Sequence, residues 1–326
     1  MNKKISDMMK EDNRIMKNRA TGVVLIGGKY SNFNADFDGN PKQNSLGEYV
    51  ASDFAKKYAN KEYWANKGYL VFGRRSYIKT MVKKVEDLRP RLLDERYEYL
   101  FESKKDNKQT VFKNLLECVD LMNFGFVYAG KDVTANLTGA VQYSYGINKD
   151  ENAEIVNEDM LSPFSSGEDK GTTTKGSRNL LVQSCFSYGF TVNPYNYNHV
   201  SEIVEDFKGY PRVAYEAFKE SCLSDVTRLT SVAKNNCYNE LALFIEFKEE
   251  SLKNIPDINN LVEYNQIENK KVVNINKIYD YLKEMKEDIE SVEIYYNPFT
   301  SIVEGDETGI EDLIKKYSII NPAISL

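Results

Sequence analysis

Histidine is nearly absent from this chain: His199 stands alone among 326 residues. That excludes most chemistry built on imidazole, and the Asn- and Tyr-rich setting YNYNHVSE is that of a surface histidine. The four cysteines, Cys118, Cys185, Cys222 and Cys237, have no paired spacing. A zinc site needs clustered thiolates or imidazoles, so reduced and mostly buried thiols are expected, with no metal centre and no disulfide framework. No apolar run reaches the roughly 18 residues of a membrane-spanning helix. The opening MNKKISDMMKEDNRIMKNR is charged throughout and lacks the apolar centre of a secretion signal. A cytoplasmic protein without a membrane partner is therefore expected. Catalytic motifs are missing too: there is no Gly-x-Ser-x-Gly, no Cys/His pair and no His-Glu-x-x-His. The glycine pair in VLIGGKYSNF fits neither the dinucleotide nor the P-loop pattern, so no cofactor is expected.

What is present is a chain too long for one small core, which points to about two domains or one domain with large insertions. Hydrophobic residues make up 41% and aromatics 12%, enough for a packed interior. The net charge of −6 conceals a split. Residues 1–130 hold 24 Lys and Arg against 17 Asp and Glu, whereas residues 201–326 hold 14 against 24. A basic front and an acidic back can bind a polyanion on one face, or let copies of the chain stack basic surface on acidic surface. A charge-segregated surface without any partner is the third reading.

Residues 1–19 are a polar extension. TGVVLIGGK reads as a strand, with β-branched residues and closing glycines. The polar stretch KYSNFNADFDGNPKQNS follows it at once and reads as a loop. LGEYVASDFAKKYANKEYWANKGY is helical in part. GRRSYIKTMVKKVEDLR is expected to be an amphipathic helix stopped by Pro90, with Ile78, Met81, Val82 and Val85 as its stripe. ERYEYLFESKKDNKQTVFKNLLECVDLM continues the helical region. NFGFVYAGK, LTGAVQYSYGI and QSCFSYGFTVNP read as strands, and the last two are separated by residues 148–179, mostly of loop composition. A helix in YPRVAYEAFKESCLSDVTRLTSVAK and a strand in ELALFIEFKE come next. The tail reads as a helix in NINKIYDYLKEMKEDIE, a strand in SVEIYYN and a helix in GIEDLIKKY. The larger pieces follow the β-α-β-β-α-β order, so the expected class is α+β with a ferredoxin-like, RRM-like sheet.

The residues able to carry function are carboxylates and basic or aromatic surfaces. Asp36 and Asp38 could hold a divalent ion, or they could simply bond to the backbone of a turn. On the expected helix, Arg75, Lys79 and Lys83 fall at i, i+4 and i+8, so that with Arg74 and Lys84 they form a basic ridge for phosphates or a solvated face. Asn32 and Asn34 could hydrogen-bond phosphates or sugars beside it, next to Lys29. The aromatic strands FGFVYAG, VQYSYG (which contains Gln142) and FSYGF could stack bases or fill the core. The segment GEDKGTTTKGSR offers Lys170, Lys175 and Arg178 among small hydroxyl residues, as a flexible hairpin tip with phosphate donors.

NRATGVVLIGGKYSNFNAD resembles the opening of the backbone subunit of type I CRISPR Cascade complexes, of the RAMP superfamily, particularly the type I-B group. In that family a first strand leads into an Asn-Pro-Asn-Gly-Asp loop. Here Asn32, Asn34 and Asp36 stand at the Asn, Asn and Asp positions, with Phe33 and Ala35 replacing Pro and Gly. NFGFVYAG and LTGAVQYSYGIN are similar to further family strands, with Ala140 where Pro is usual; SYGFTVNP and NNCYNELALFIEFKE also match, over about Asn18 to Pro298. The resemblance implies an RRM-like palm (20–55, 119–147 and 180–250), helical fingers (56–118), a loop or hairpin thumb (148–179) and an acidic C-terminal extension of the palm (251–326). It implies a non-catalytic subunit that polymerises head to tail along CRISPR RNA for antiviral defence. Its partners would be further Cascade subunits and a target DNA strand paired with the guide. Asn32 and Asn34 would face the RNA while Asp36 fixes the turn. Related type III subunits cut RNA with an Asp in this loop, so a metal-dependent ribonuclease using Asp36 is the alternative; a homopolymer without nucleic acid is the second.

Overall fold

The computed structural model describes residues 2–82, 85–103, 106–161, 175–267 and 270–326. A short helix α1 (Ile5–Met8) precedes strand β1 (Ala20–Ser31), and the two-residue strand β2 (Val50–Ala51) leads into helix α2 (Asp53–Asn66). Strands β3 (Tyr77–Val82) and β4 (Val85–Pro90) form a ribbon ahead of helices α3 (Leu93–Phe101), α4 (Lys108–Leu116) and α5 (Val119–Phe124). Strands β5 (Gly125–Ala129), β6 (Thr134–Thr138), β7 (Val141–Tyr143), β8 (Gly146–Asn148), β9 (Ile155–Leu161) and β10 (Lys175–Val192) follow. Next come helix α6 (Arg212–Ser224) and strand β11 (Cys237–Phe247). The last part holds β12 (Glu263–Ile267), β13 (Lys270–Asn274), helix α7 (Asn276–Glu284), β14 (Ile289–Tyr296), β15 (Ser301–Glu304) and β16 (Ile314–Ser318). Among the described residues no helix is long and apolar enough to cross a membrane.

Local chemistry sets the helix starts. The Ser52 hydroxyl accepts the Ala55 amide at the head of α2, Asn107 accepts the Thr110 amide at the head of α4, and Glu95 reaches back to the Leu92 amide at the head of α3. Pro211 opens α6, where its missing N–H has no helical partner to lose.

The main sheet runs β16-β14-β11-β1-β10-β8-β2, with β7 and β9 also paired to β10. Its centre, β11-β1-β10 followed by β7 and β8, is antiparallel throughout, with α2 and α6 as the connecting helices. That is the ferredoxin-like α+β sheet expected from the element order. Period-2 alternation divides its side chains between two cores. Val24, Ile26, Phe186, Tyr188, Phe190 and Phe244 pack with the helical side, including Trp64 of α2 and Phe218 of α6. Val23, Leu25, Cys185, Leu243 and Ile245 pack with Ile258, Ile278, Tyr279 and Leu282 of the C-terminal part. Both faces of the sheet are therefore covered. Tyr143, Phe186, Tyr188 and Phe190 are core residues and do not form an open base-stacking platform. All four cysteines are free and buried.

A buried polar network fixes α2 against α6. Lys56 and Asp225 pair with both side chains fully buried, and Asn60 donates to Asp225 and to the Ser221 hydroxyl, each at 2.8 Å. Asn239 of β11 donates to the other Asp225 oxygen at 2.7 Å. The Val226 amide also donates to that oxygen, at 2.8 Å, so each Asp225 oxygen accepts two hydrogen bonds and the buried pair is compensated. Lys56 and Asn60 thus mark the inward side of α2, and Lys57 and Lys61 lie one position further round.

Three expectations need correcting. The stretch expected as a basic helix is the β3–β4 ribbon, with Tyr77 opposite Pro90 and Lys79 opposite Leu88. Ile78 and Thr80 turn inward while Tyr77, Lys79 and Met81 are exposed, which is a strand alternation. GIEDLIKKY ends in strand β16, which pairs in parallel with β14 instead of continuing a helix. Within 148–179, strand order extends well into the expected loop: β9 pairs with the first third of β10, from Lys175 opposite Leu161 to Leu181 opposite Ile155. The tip between those arms lies outside the described residues.

Candidate nucleic-acid interface

The polar loop after β1 is held by its own side chains. Phe33 is buried against Phe186 and Tyr188 and anchors it. Asn34 Oδ1 accepts both the Ser52 amide, at 2.7 Å, and the Ser52 hydroxyl, at 2.8 Å, fastening the loop to the head of α2. Asp36 Oδ1 accepts the amides of Asp38, at 2.9 Å, and Asn40, at 2.8 Å. It is a turn-forming carboxylate. Phe37, at the apex, is fully exposed. Asn32 is 4% exposed, and its amide donates to the carbonyls of Gly39 and Asn179, both at 3.2 Å. The Asn32 side chain therefore faces inward and ties the loop to the base of the β9–β10 ribbon, contrary to the outward orientation expected of it. Asn40 and Asn179 join by a side-chain hydrogen bond at the same place.

Lys29 and Tyr30 are exposed at the end of β1. Tyr30 has a positive φ of 46°, the conformation in which the strand gives way to the loop. Beside it lies a cavity of about 390 Å³ lined by Tyr30, Asn157, Glu158, Arg178, Val232 and Asn236. Arg178 pairs with Glu158 across the ribbon. Lys234 donates to the Phe33 carbonyl at 2.8 Å, and burial holds its pKa below the ordinary lysine value.

Of the other cations expected on a ridge, Arg74, Arg75 and Lys79 are described, and each has a partner of its own. Arg74 grips Glu62 with two nitrogens, at 3.1 and 3.0 Å; Arg75 lies over the Tyr77 ring; Lys79 faces Glu86 at 3.5 Å. Lys83 and Lys170, with Lys84, lie outside the described residues, as does the side chain of Lys175. Gln142 Nε2 donates to the carbonyls of Phe124, at 3.3 Å, and Gly139, at 3.1 Å.

Gln142 leads to a surface that sequence reasoning missed. It lines a cavity of about 340 Å³ with Phe54, Lys57 and Lys61 of α2, Phe124 of α5, Gly125, Phe126 and Val127 of β5 and Thr138 of β6. Lys57 lies over the Phe124 ring at 5.5 Å and pairs with Asp53 at 2.9 Å. Asp120 also lines the cavity, and its carboxylate oxygens accept the amides of Phe72, at 2.9 Å, and Gly73, at 2.7 Å. Burial raises its pKa against those bonds and against the nearby charge of Lys61. Gly125 is required here: its φ is +80°, and a Cβ would stand 2.2 Å from the Leu137 carbonyl oxygen. The spacing of Phe54, Lys57 and Lys61 at i, i+3 and i+7 behind the Ser52 cap was the signal available in the sequence. The Asn34–Ser52 bonds place the loop at the head of the helix that carries Phe54, Lys57 and Lys61. No group of three or more metal-ligating side chains occurs among the described residues.

The sequence matches the model of a protein family, CRISPR-associated protein Cas7, over residues 18–288. The chain belongs to that family. Among solved structures it is similar to a chain of a CRISPR RNA-guided surveillance complex, at 13% identity and a TM-score of 0.51, covering 92% of this chain and 94% of that one. A chain of a CRISPR RNA-guided surveillance complex in a pre-nicking state gives 13% identity and a TM-score of 0.48, over 94% and 97%. The first likeness is one of fold. A comparison with curated proteins finds no match.

Proposed function

We propose that this chain is the guide-RNA-binding backbone subunit of a CRISPR surveillance complex of type I, of the type I-B group, acting in the cytoplasm without catalysis of its own. The observation that carries the reading is the family match across residues 18–288. Three features support it beside a sheet whose own faces are closed: the loop pinned at the end of β1, the lysines Lys57 and Lys61 of α2, to whose head the loop is bonded, and the β9–β10 ribbon, to whose base it is bonded. Copies stack head to tail along the RNA, a heterologous contact that does not close into a ring. Further subunits of the complex and a target DNA strand paired with the guide complete the partners.

The engagement of Asp36 with two backbone amides favours a turn over a catalytic carboxylate. The test uses protein stripped of nucleic acid and two unrelated single-stranded RNAs. Both are expected to bind with similar affinity and with a steep salt dependence, roughly −0.7 in log–log slope per phosphate contact. Asp36→Asn is expected to bind as the wild type does, and magnesium is expected to produce no cleavage of complementary RNA. Cleavage abolished by that substitution would instead make the protein a nuclease, and salt-insensitive or absent binding would remove RNA from its function.

A further inference from the structure

The cavity beside α2 is larger than phosphate contact alone requires. We propose that it takes one nucleotide of single-stranded RNA, with the base against Phe54, Phe124 and Phe126 and the flanking phosphate on Lys57 and Lys61; this rests on the RNA-binding function proposed above. Its volume of about 340 Å³ lies at the lower end of the range of small-ligand sites, about 300–1,000 Å³. Its walls are aromatic and aliphatic, from Phe54, Phe124, Phe126, Val127 and Leu137. Its polar groups are mostly donors: the ammonium groups of Lys57 and Lys61 and the Thr138 hydroxyl. Two carboxylates lie among these donors: Asp120, whose oxygens accept two backbone amides, and Asp53, which pairs with Lys57 at 2.9 Å, so a bound phosphate would share the ammonium groups with them. An apolar slot with donors at its rim suits a ligand that is flat, π-faced and anionic at one end. A nucleotide has that shape and charge, and stacking on aromatic rings tolerates any base.

Phe54 and Val127 show what the slot costs the protein. They line the cavity and are 76% and 83% exposed, so neither is used by the core. They are the apolar side chains that a base held in the cavity would cover. Substitutions at positions this exposed are expected to leave folding intact.

The experiment measures binding of a 12-residue oligouridylate and of an abasic ribose-phosphate 12-mer to the stripped full-length protein. Phe54→Ala removes a wall and Val127→Trp obstructs the slot. Each is expected to weaken oligouridylate binding about tenfold and to leave the abasic oligomer unchanged. Lys57→Ala with Lys61→Ala is expected to weaken both oligomers and to flatten the salt slope by up to about two contacts. Unchanged melting temperatures for Phe54→Ala and Val127→Trp would exclude misfolding as the cause. Wild-type affinity for oligouridylate in both variants overturns the slot and leaves RNA binding standing. Equal weakening of both oligomers also overturns it, since the cavity would then touch backbone and not base. Failure of the wild-type protein to bind either oligomer overturns the slot together with the function it rests on.

Discussion

One oxygen of Asn34 carries the junction between loop and helix. It accepts two hydrogen bonds from Ser52 while the Ser52 hydroxyl caps α2. Asn34→Ala is expected to cost about 1–2 kcal/mol, since it leaves a backbone amide short of its acceptor and loosens a cap, and urea unfolding reads this directly. Asn34, Asn32 and Asp36 were visible in the sequence as residues with a task, and their side chains are bonded within the loop and to its neighbours. Asparagine and aspartate serve turns and ligands with the same atoms, so residue type alone could not separate the two. The thiols of Cys118, Cys185, Cys222 and Cys237 were legible as buried, and burial raises the pKa of each. A thiol reagent at neutral pH is expected to label none of them in the folded protein and all four in denaturant; rapid labelling of the native chain would contradict the packing.

At the scale of elements, α2 is the organising piece, locked from inside by Lys56 and Asp225. Asp225→Ala strands a buried ammonium and is expected to destabilise by about 3–5 kcal/mol, whereas Lys56→Met combined with Asp225→Leu should cost much less. Urea titration of the single and double variants decides this. The ribbon β3–β4 is fastened to α3 through Arg89 and Glu95, at 2.6 and 2.8 Å. Arg89 and the Leu92 amide hold the Glu95 carboxyl down at about 2. A depressed carboxylate stabilises above its ordinary pKa and loses that contribution as pH falls through the folded value. The protection factors of the ribbon amides, that is, exchange divided by its intrinsic rate at each pH, should therefore be unchanged from pH 7 to 5 and fall between about 4 and 2; Glu95→Gln should remove that step. The ribbon was misread because Ile78, Met81, Val82 and Val85 satisfy a helical spacing nearly as well as a strand alternation, and the β-branched Ile78, Thr80 and Val82 decide for the strand. Ile310, Leu313, Ile314 and Tyr317 likewise fit a helix, but the open edge of β14 recruits Ile314–Ser318 as a parallel strand, a tertiary contact no local pattern reveals.

At the scale of the molecule, the order β-α-β-β-α-β was readable because β1, β10 and β11 are long apolar strands flanking two amphipathic helices. The closure of the sheet was not readable. It depends on residues far apart in sequence, Val23, Leu25 and Leu243 against Ile258, Ile278 and Leu282. With both sheet faces covered, the RNA surface proposed above lies at the rim, where the loop is bonded to the head of α2 and to Asn179 at the base of the β9–β10 ribbon. The uneven charge, basic in residues 1–130 and acidic in 201–326, fits copies stacked in series along a polyanion. The most direct measurement is the size distribution of nucleic acid extracted from the protein purified from its native operon context. The account predicts RNA of one uniform length, bound to several copies of the chain. Protein free of nucleic acid, or carrying RNA of random length, would contradict it.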